Sequence, residues 1–376
     1  MKKLNVVTLF SGYDSQCQAL DRLGIDYNLI AWSDIDAAAI KAHNAIYPQY
    51  KDKNLGDVCE IDWSTVEDFD LMTYSSPCTD FSTSGLQLGG ECGSGTRSSL
   101  LWECKRAIEA KHPKYLVFEN VKNLVSKKFI GTFNKWIAYL ETQGYETKWT
   151  VLNAKEFDVP QNRERVIAVS SLDGLGDFRF PDGLQRTKTL ADIIEKDVPD
   201  DVYFTPEKAI DAFRNSNVNI SLSDEYAVLH NFYQGNDMRI SKDLQSSVKL
   251  PLLDVRVGAL RGRNPLNPSE RSCSNGKYQQ RLEISNNPYT NTLTTVAKDN
   301  VIVEIYPDNV KLRYLTTRES FRLMDMDDSN IDKIQNAGIG KSAQIKLAGN
   351  SICVGVLTEV FRYMFDKTKR NQVALF

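Results

Sequence analysis

Three short segments of this sequence supply a thiol, a carboxylic acid and two guanidinium groups. Cys78 follows Pro77 just after an apolar segment, Glu119 closes another apolar segment, and Arg163 and Arg165 come just before a third. A thiol beside a cation ionises more easily, and the thiolate is the reactive nucleophile. A buried carboxyl keeps its proton closer to neutral pH and can offset negative charge that develops on a substrate. This set of groups is typical of covalent catalysis.

Each of these residues also has an ordinary structural interpretation. A free cysteine is more often a buried core residue than a nucleophile. Glu119 alone reads as a helix cap or a solvated acid, and the segment with Arg163 and Arg165 as an exposed charged turn. The position of Cys78 after a predicted strand favours a catalytic role, because α/β enzymes place reactive groups in loops at the carboxyl ends of parallel strands.

A second group of residues indicates a nucleoside-containing cofactor. The first apolar segment ends in a turn with Gly12, where a ligand can approach the backbone. Asp34 lies 22 residues later, close to the offset of about 20 at which an acid reaches a ribose hydroxyl. Asp57 is a third candidate, although Asp34 and Asp57 are also ordinary helix-capping residues. No Gly-x-Gly-x-x-Gly is present, which argues against a dinucleotide.

The elements that position these groups alternate between strands and helices over the first 170 residues. The pattern predicts strands over 5–10, 27–32, 71–74, 115–119, 146–152 and 165–170. It predicts helices over 15–23, 36–47, 99–111 and 130–143. Such alternation indicates an α/β fold, a parallel sheet with helices on both faces.

The later part of the chain has a different pattern. From 173 to about 281 the sequence is rich in Pro, Asn, Asp and Ser with weak periodicity, so we expect a second, irregular domain. Apolar patterning returns near 314–324, and a final helix over 354–365 follows a predicted loop at 348–351.

Composition excludes several classes of protein. No apolar run approaches the roughly 18 residues of a membrane span, and the first residues show no signal-peptide pattern. The seven cysteines are scattered without a Cys-x-x-Cys pair, which favours a reducing cytosol over a disulfide framework. The three histidines are isolated in sequence, so we expect no metal site.

The net charge of −3 is not that of an obvious nucleic-acid binder, but one segment is basic. Between 256 and 281 a single acidic residue, Glu270, faces six basic ones: Arg256, Arg261, Arg263, Arg271, Lys277 and Arg281. A charge cluster alone is usually a solvated loop. It becomes a phosphate-contacting surface if the rest of the chain requires DNA.

The motifs together resemble the DNA (cytosine-5) methyltransferase family of bacterial or phage type, which uses S-adenosylmethionine. Eight short segments match in family order, and the Pro-Cys, Glu-Asn-Val and Gln-x-Arg-x-Arg cores are intact. The matching segments are Phe10-Ser11-Gly12, Asp34, Asp57-Val58, Ser76-Pro77-Cys78, Glu119-Asn120-Val121, Gln161 to Arg165, Gln280-Arg281 with Asn291 to Thr294, and Gly349-Asn350-Ser351.

The resemblance implies a Rossmann-like, mostly parallel sheet of the class I methyltransferase type with a smaller irregular target-recognition domain. The expected catalytic domain covers 1–178 and 337–376, and the recognition domain covers 179–336. The implied reaction is methyl transfer from S-adenosyl-L-methionine to carbon 5 of a flipped-out cytosine in a specific DNA sequence. It proceeds through addition of the Cys78 thiolate and yields S-adenosyl-L-homocysteine.

The resemblance also implies three sets of site residues. The catalytic residues are Cys78, Glu119, Arg163 and Arg165. The cofactor contacts are Phe10, Ser11, Gly12, Tyr13, Asp34, Ile35, Asp57, Val58, Pro77, Leu100, Asn350 and Ser351. The DNA contacts are Ser82, Ser84, Arg97, Arg256, Arg261, Arg263 and Arg281. The expected partner is double-stranded DNA, bound by a cytoplasmic, nucleoid-associated monomer with no membrane partner; whether a cognate restriction endonuclease is encoded nearby stays open.

The first cofactor motif departs from the family pattern. Asp14 and Ser15 stand where the family has two glycines, so the backbone is less permissive there, and we expect the charge of Asp14 to lie near the cofactor. The usual Pro-Cys-Gln is Pro-Cys-Thr, and Ile35 stands where a large side chain often meets the adenine.

Three alternatives remain on the sequence alone. An RNA (tRNA) cytosine-5 methyltransferase would share the motifs, but the insert of about 100 residues from 173 to 281 favours DNA. A non-catalytic DNA-binding relative would keep the fold, which the intact Cys78, Glu119 and Arg165 oppose. The third alternative is an enzyme that uses a modified cofactor and gives a different product.

Overall fold

The computed structural model describes residues 2–78, 80–81, 89–216, 218–222, 226–241, 252–264, 279–296, 300–307 and 309–366. Contacts between Cα atoms divide the chain into two compact units. Unit 1 consists of Met1–Asp158, Arg163–Arg186 and Met324–Phe376, and unit 2 of Val159–Asn162 and Thr187–Leu323. The limits expected from the sequence for a catalytic and a recognition domain stay a prediction.

The strands of the described residues are, in chain order, β1 (Leu4–Leu9), β2 (Tyr27–Ser33), β3 (Leu71–Tyr74), β4 (Tyr115–Val121), β5 (Glu146–Asn153), β6 (Glu164–Ser171), β7 (Asn219–Leu222), β8 (Tyr226–Tyr233), β9 (Asn236–Ser241), β10 (Asp254–Arg263), β11 (Gln279–Ser285), β12 (Val301–Ile305) and β13 (Val310–Tyr314). The α-helices are α1 (Ser15–Arg22), α2 (Ala37–Ile46), α3 (Cys104–Lys111), α4 (Ile130–Thr142), α5 (Leu190–Ile193), α6 (Pro206–Arg214), α7 (Thr317–Arg322), α8 (Asp328–Asn336), α9 (Lys341–Asn350) and α10 (Val354–Phe365).

Unit 1 is built on a six-stranded sheet in the order β2-β1-β3-β4-β6-β5. Strands β1 to β4 pair in parallel, whereas β6 runs antiparallel to both β4 and β5. The strands read from the sequence lie within one or two residues of these limits, and the mostly parallel α/β fold is confirmed. A buried apolar cluster with Leu9, Met72, Phe118, Phe133 and Trp136 packs against the sheet.

This topology brings the predicted chemical groups to one edge of the sheet. Parallel strands β1 to β4 end there, and antiparallel β6 begins there, with Arg165 opposite Val121. The groups that follow β1, β2 and β3, the end of β4, and the residues that precede β6 therefore meet at the same edge. Only the reversed direction of β6 allows Arg163 and Arg165 to join it.

One helix prediction and one loop prediction need correction. The predicted helix over 99–111 is a 3-10 turn over Arg97–Glu103 followed by α3, because the backbone N–H of Ser98 is bound to Asp80 and the Trp102 indole donates to Gly90. The loop predicted at 348–351 was wrong as far as residue 350, since α9 continues to Asn350. The final helix, α10, has the predicted limits.

Unit 2 contains more regular structure than the sequence pattern indicated. Its described residues form a three-stranded sheet, β7-β8-β9, and a four-stranded antiparallel sheet, β11-β10-β12-β13. A separate core packs α6 between them through Phe213, Leu229, Leu282, Val303 and Leu312. The strands were missed because some are short and largely exposed, as β7 is, and so lack clear apolar alternation.

The described helices include none with the length and apolar composition needed to cross a bilayer. Within the same described residues, His, Cys, Asp and Glu side chains form no cluster of three that could hold a metal ion.

Candidate active site

A cavity of about 650 Å³ opens at the sheet edge of unit 1. It collects nearly all of the residues that the sequence predicts for catalysis and cofactor binding. The predicted residues that line it are Phe10, Ser11, Gly12, Asp34, Ile35, Asp57, Val58, Pro77, Cys78, Arg97, Leu100, Glu119, Arg163, Arg165, Asn350 and Ser351.

Cys78 lies half-buried in the loop after β3. The loop is held from β4, because the Asn120 side-chain amide donates to the Ser76 carbonyl at 3.0 Å. On the other side, the Phe81 N–H donates to the Cys78 carbonyl at 3.0 Å. The position of the thiol is thus set by backbone contacts on both sides of it.

The pKa of the Cys78 thiol is raised above its ordinary value by burial. The positive charges of Arg165 and Arg163 act in the opposite direction, and the charge of Glu119 adds to the rise. Arginines near the thiol were expected to activate it. They offset the burial without outweighing it, so the thiol at this site ionises less readily than in water.

Glu119 and Arg165 form an ion pair at the centre of the cavity, with Oε1 of the acid 3.1 Å from Nε of the arginine. Glu119 is 8% exposed, and burial raises its pKa although Arg165 and Arg163 lower it. The carboxyl therefore holds its proton to a higher pH than usual, as the sequence argument required. Arg165 also donates to the Glu164 carbonyl, which orients its guanidinium group.

Arg163 has a different environment from Arg165. It is 2% exposed, and its Nη2 donates to the carbonyl oxygens of Gly349 and Ser351. Burial lowers the pKa of this guanidinium group. Arg163 thus fastens the end of α9 to the start of β6, and its charge acts on Cys78 only as the smaller of the two arginine contributions.

The opposite end of the cavity is acidic. The Asp34 carboxylate accepts hydrogen bonds from the N–H groups of Gly12 and Asp36, each at 2.8 Å. Gly12 has a φ of 58°, a left-handed conformation that suits glycine. Ile35 is 69% exposed beside this carboxylate. Asp36, not Asp34, caps α2, so the capping interpretation of Asp34 does not hold.

Two residues of the first motif point away from the cavity. The Tyr13 side chain is fully buried, so any contact from this residue to a ligand in the cavity is made by backbone. Asp14 is also fully buried: it caps α1 and accepts from Cys17 N–H and the Thr8 hydroxyl. The expectation that its charge lies near the cofactor is wrong, because the left-handed turn directs the carboxylate into the core.

Lys346 was missed by sequence reasoning. It lines the same cavity from α9 and its ammonium group lies 2.7 Å from the Asp36 carboxylate. It stands four residues before Asn350 in a helix, a spacing that places both on one face and that would have revealed it had α9 been extended correctly.

The predicted DNA contacts are spread over the chain. Ser82 and Ser84 lie outside the described residues, as do Arg271 and Lys277 of the basic segment. Arg97 lines the cavity of unit 1. Arg256, Arg261, Arg263 and Arg281 lie in unit 2, on β10 and β11.

The four arginines of unit 2 have unequal freedom to bind a ligand. Arg256 donates to the Phe232 carbonyl and stacks on the Phe232 and Tyr233 rings. These contacts hold Arg256 as a packing residue. Arg263 is paired with Glu283, and Arg261 lies 3.6 Å from the same carboxylate.

Comparison with known proteins places this site in a family. The model of the C-5 cytosine-specific DNA methylase family matches residues 4–366. The chain belongs to that family. The resemblance read from the motifs is thereby confirmed, and the family is one of S-adenosylmethionine-dependent enzymes that methylate carbon 5 of cytosine in DNA.

Relatives of this methyltransferase include two phage or bacterial enzymes. It is 30% identical to a type II methyltransferase of Lactococcus lactis subsp. cremoris, over 96% of this chain and 99% of the relative. It is 29% identical to an orphan methyltransferase of Bacillus phage SPR, over 96% of this chain and 97% of the relative.

The fold of this methyltransferase is shared by solved structures of low sequence identity. It is similar to the DNMT2 of Spodoptera frugiperda, with a TM-score of 0.63 and 16% identity, over 97% of this chain and 100% of that one. It is also similar to an Entamoeba histolytica methyltransferase, with a TM-score of 0.61 and 15% identity, over 98% of this chain and 99% of that one. At this identity the likeness shows the fold alone.

Proposed function

We propose that the cavity of unit 1 binds S-adenosylmethionine at its acidic end and a flipped-out cytosine at its Cys78 end. The observation that carries the proposal is a single cavity holding a thiol, a carboxyl of raised pKa, an arginine and a carboxylate fixed by a glycine turn. These groups are drawn from four strands and have no common structural purpose.

The acidic end of the cavity fits the cofactor. Asp34 keeps lone pairs for hydroxyl donors, since its two amide bonds use only part of its acceptor capacity. Its negative charge, with that of Asp57, suits a ligand that carries ammonium and sulfonium groups. Ile35, Val58 and Leu100 provide apolar surface for an adenine ring. When bound, S-adenosylmethionine supplies an electrophilic methyl group.

Cys78 is the proposed nucleophile. Its thiolate forms a bond to carbon 6 of cytosine, and the carbon 5–carbon 6 π electrons become available at carbon 5. A bound S-adenosylmethionine would supply the methyl group to this carbon, with S-adenosylhomocysteine as the leaving group. Loss of the carbon 5 proton to water and release of the Cys78 thiolate restore the aromatic ring. Covalent addition of this kind replaces one difficult step by easier ones.

Glu119 is proposed to share its proton with ring nitrogen 3 of the cytosine and to accept from its amino group. Protonation at nitrogen 3 offsets the negative charge that arises when the thiolate adds. Burial keeps the carboxyl protonated to a higher pH, and the Arg165 contact at 3.1 Å fixes its direction. Arg165 also favours the ionised thiol.

The substrate base must leave the double helix to reach this cavity. Carbon 6 of a stacked, paired cytosine is out of reach of a half-buried thiol, so the base is extruded into the pocket. Recognition of the surrounding sequence is assigned to residues 179–336, and catalysis to 1–178 with 337–376. We further assign a monomer acting on double-stranded DNA, which light scattering of the protein–DNA complex would test.

The decisive experiment is Cys78→Ser, with Cys59→Ser as its matched control, because Cys59 is an exposed cysteine of the same unit outside the cavity. DNA from a methylation-free host that expresses each protein is bisulfite sequenced. Wild type and Cys59→Ser should methylate one sequence, and Cys78→Ser none. DNA with 5-fluorocytosine at the target should trap wild type covalently, since no proton can leave carbon 5.

Two results would overturn the proposal. Full methylation by Cys78→Ser would remove the nucleophile assignment. Methyl transfer from the wild type to tRNA and not to DNA would favour an RNA substrate. Since one compared relative is a type II enzyme and another an orphan, a nuclease assay on unmethylated DNA bearing the mapped site would test for a cognate endonuclease in the host.

A further inference from the structure

A second, smaller cavity of about 190 Å³ lies within unit 2, at the C-terminal end of α6 and the neighbouring ends of β10 and β11. Its walls carry three arginines, Arg214, Arg263 and Arg281, together with the side-chain amides of Asn215 and Gln279. We call it the arginine cavity. Among the described residues, every side chain that lines it is a hydrogen-bonding group.

The strand register concentrates positive charge beside this cavity. In the antiparallel pair β10–β11, Arg261 stands opposite Arg281 and Arg263 stands opposite Gln279. Because side chains two apart share a face of a strand, all four project to the same side. Like charges directly opposite one another destabilise a sheet. The arrangement therefore opposes stability unless something negative binds there.

The available acidic residue does not neutralise the cluster. Glu283 projects from the same face and pairs with Arg263 and, at 3.6 Å, with Arg261. Among the described residues no ion pair involves Arg281 or Arg214. Arg214 has an ordinary explanation in the dipole of α6, whose last turn it occupies, whereas the part of the chain that the structure describes offers no acidic partner to Arg281.

The walls of the arginine cavity are held in place before any ligand arrives. Gln279 donates to the Asn215 side-chain oxygen at 2.6 Å, and the Leu282 N–H donates to the Asn215 carbonyl at 3.2 Å. These bonds join the end of α6 to β11, so Arg214 and Arg281 are carried by fixed backbone. Preorganised donors lose less entropy when they bind.

We propose that the arginine cavity binds one phosphate group of the DNA backbone, with Arg214 and Arg281 as the donors. This inference rests on the proposed function, since it requires DNA as the substrate. A phosphate projects from the double helix and fits a concave site, whereas base edges lie inside the grooves and are reached by protruding elements. Guanidinium groups suit phosphate oxygens in charge and geometry.

The test is a double variant, Arg214→Gln with Arg281→Gln, whose affinity for a DNA duplex is measured against salt concentration. Loss of a phosphate contact should lower the slope of log affinity against log salt by about one unit. It should weaken binding at low salt by at least about tenfold, equally for two duplexes of different sequence. The double variant Arg214→Lys with Arg281→Lys, which keeps the charge, should retain most of the slope.

Arg239→Gln is the matched control, because Arg239 is an exposed arginine of unit 2 that stacks on Tyr226, away from the arginine cavity. It should leave the slope unchanged, and thermal unfolding of each variant shows that unit 2 remains folded. A wild-type slope in the Gln double variant overturns the proposal. So does an unchanged slope with altered preference between the two duplexes, which would indicate base contacts.

Failure of this inference is distinguishable from failure of the proposed reaction. The salt measurement needs only DNA binding, whereas the reaction is tested by methylation of DNA with wild-type protein. A wild type that methylates DNA, together with unaltered slopes in the variants, removes the arginine cavity alone. A wild type that binds DNA but transfers no methyl group removes the reaction and leaves the salt test in force.

Discussion

Substitutions of Asp14 test how much its buried contacts, in the turn between β1 and α1, stabilise the protein. Asp14 adopts a left-handed conformation with φ 62°, and its carboxylate is fully buried. One oxygen accepts from Cys17 N–H at 3.1 Å, and the other accepts from the Thr8 hydroxyl at 3.0 Å and lies 3.4 Å from His43 Nε2. His43 is also fully buried and stacks on Trp32. The aspartate makes these contacts at a position where the family has glycine.

The expected cost of Asp14→Ala follows from three losses. Removal of the helix cap costs about 1 kcal/mol. Alanine in a left-handed conformation costs about 1–2 kcal/mol. Loss of the hydrogen bond from the buried Thr8 hydroxyl and of the 3.4 Å contact with His43 adds about 1–3 kcal/mol. The free energy of unfolding should therefore fall by about 3–6 kcal/mol, a large share of the stability of a typical domain.

Two further substitutions separate these contributions. Asp14→Gly removes the conformational cost and caps nearly as well, so it should lose only about 2 kcal/mol through Thr8 and His43. Asp14→Asn keeps a cap oxygen and tolerates the left-handed conformation, so it should lose about 1 kcal/mol. The expected order of stability is wild type, Asn, Gly, Ala.

Guanidinium unfolding followed by far-UV circular dichroism measures these differences from the midpoint and slope of the transition. Tryptophan fluorescence reports whether the change lies in unit 1, since all five tryptophans lie in that unit, Trp32 among them. A Gly variant as stable as wild type would refute the reasoning, because the buried contacts of Asp14 would then contribute nothing beyond its turn.

Three further outcomes are expected. Gly90→Ala should destabilise unit 1 by about 1–3 kcal/mol and lower kcat, since its new methyl carbon would lie 2.8 Å from the Ser98 carbonyl oxygen; Gly131→Ala, with open space around it, should do neither when both are unfolded in urea and assayed. Arg163→Lys should raise KM for S-adenosylmethionine more than it lowers kcat in steady-state kinetics, because one ammonium group cannot hold the Gly349 and Ser351 carbonyls as the guanidinium does; a selective loss of kcat would contradict this. The raised pKa of Glu119 means that the folded protein binds this proton more tightly than the unfolded chain, so the free energy of unfolding should fall as pH rises from about 4.3 through the raised pKa. Glu119→Gln should show a smaller fall as pH rises above about 4.3 in urea unfolding, and an identical fall would exclude the carboxyl as its source.

Much of the fold of unit 1 could be predicted from local sequence. Continuous apolar runs predicted β1 to β6 within one or two residues, because buried strands leave a strong signal. The Pro-Cys, Glu-Asn-Val and Gln-x-Arg-x-Arg segments predicted which side chains would meet at one edge. The strands of unit 2 were not predicted, since short and largely exposed strands such as β7 lack a clear periodicity.

What the sequence by itself determined is the set of reactive groups and their order along the chain. Residue type settles that Cys78 can add to a ring and that Glu119 can hold a proton, whatever surrounds them. The motif order also indicates the family. These properties are local, so they survive without knowledge of any contact.

The tertiary structure decided what each group is free to do. Burial raises the pKa of Cys78, and the carbonyls of Gly349 and Ser351 engage Arg163, whereas Arg165 is left to pair with Glu119. The left-handed turn at Asp14 sends its charge into the core and away from the cavity. Desolvation and hydrogen bonding depend on atoms that are distant in sequence, so only the folded chain could assign them.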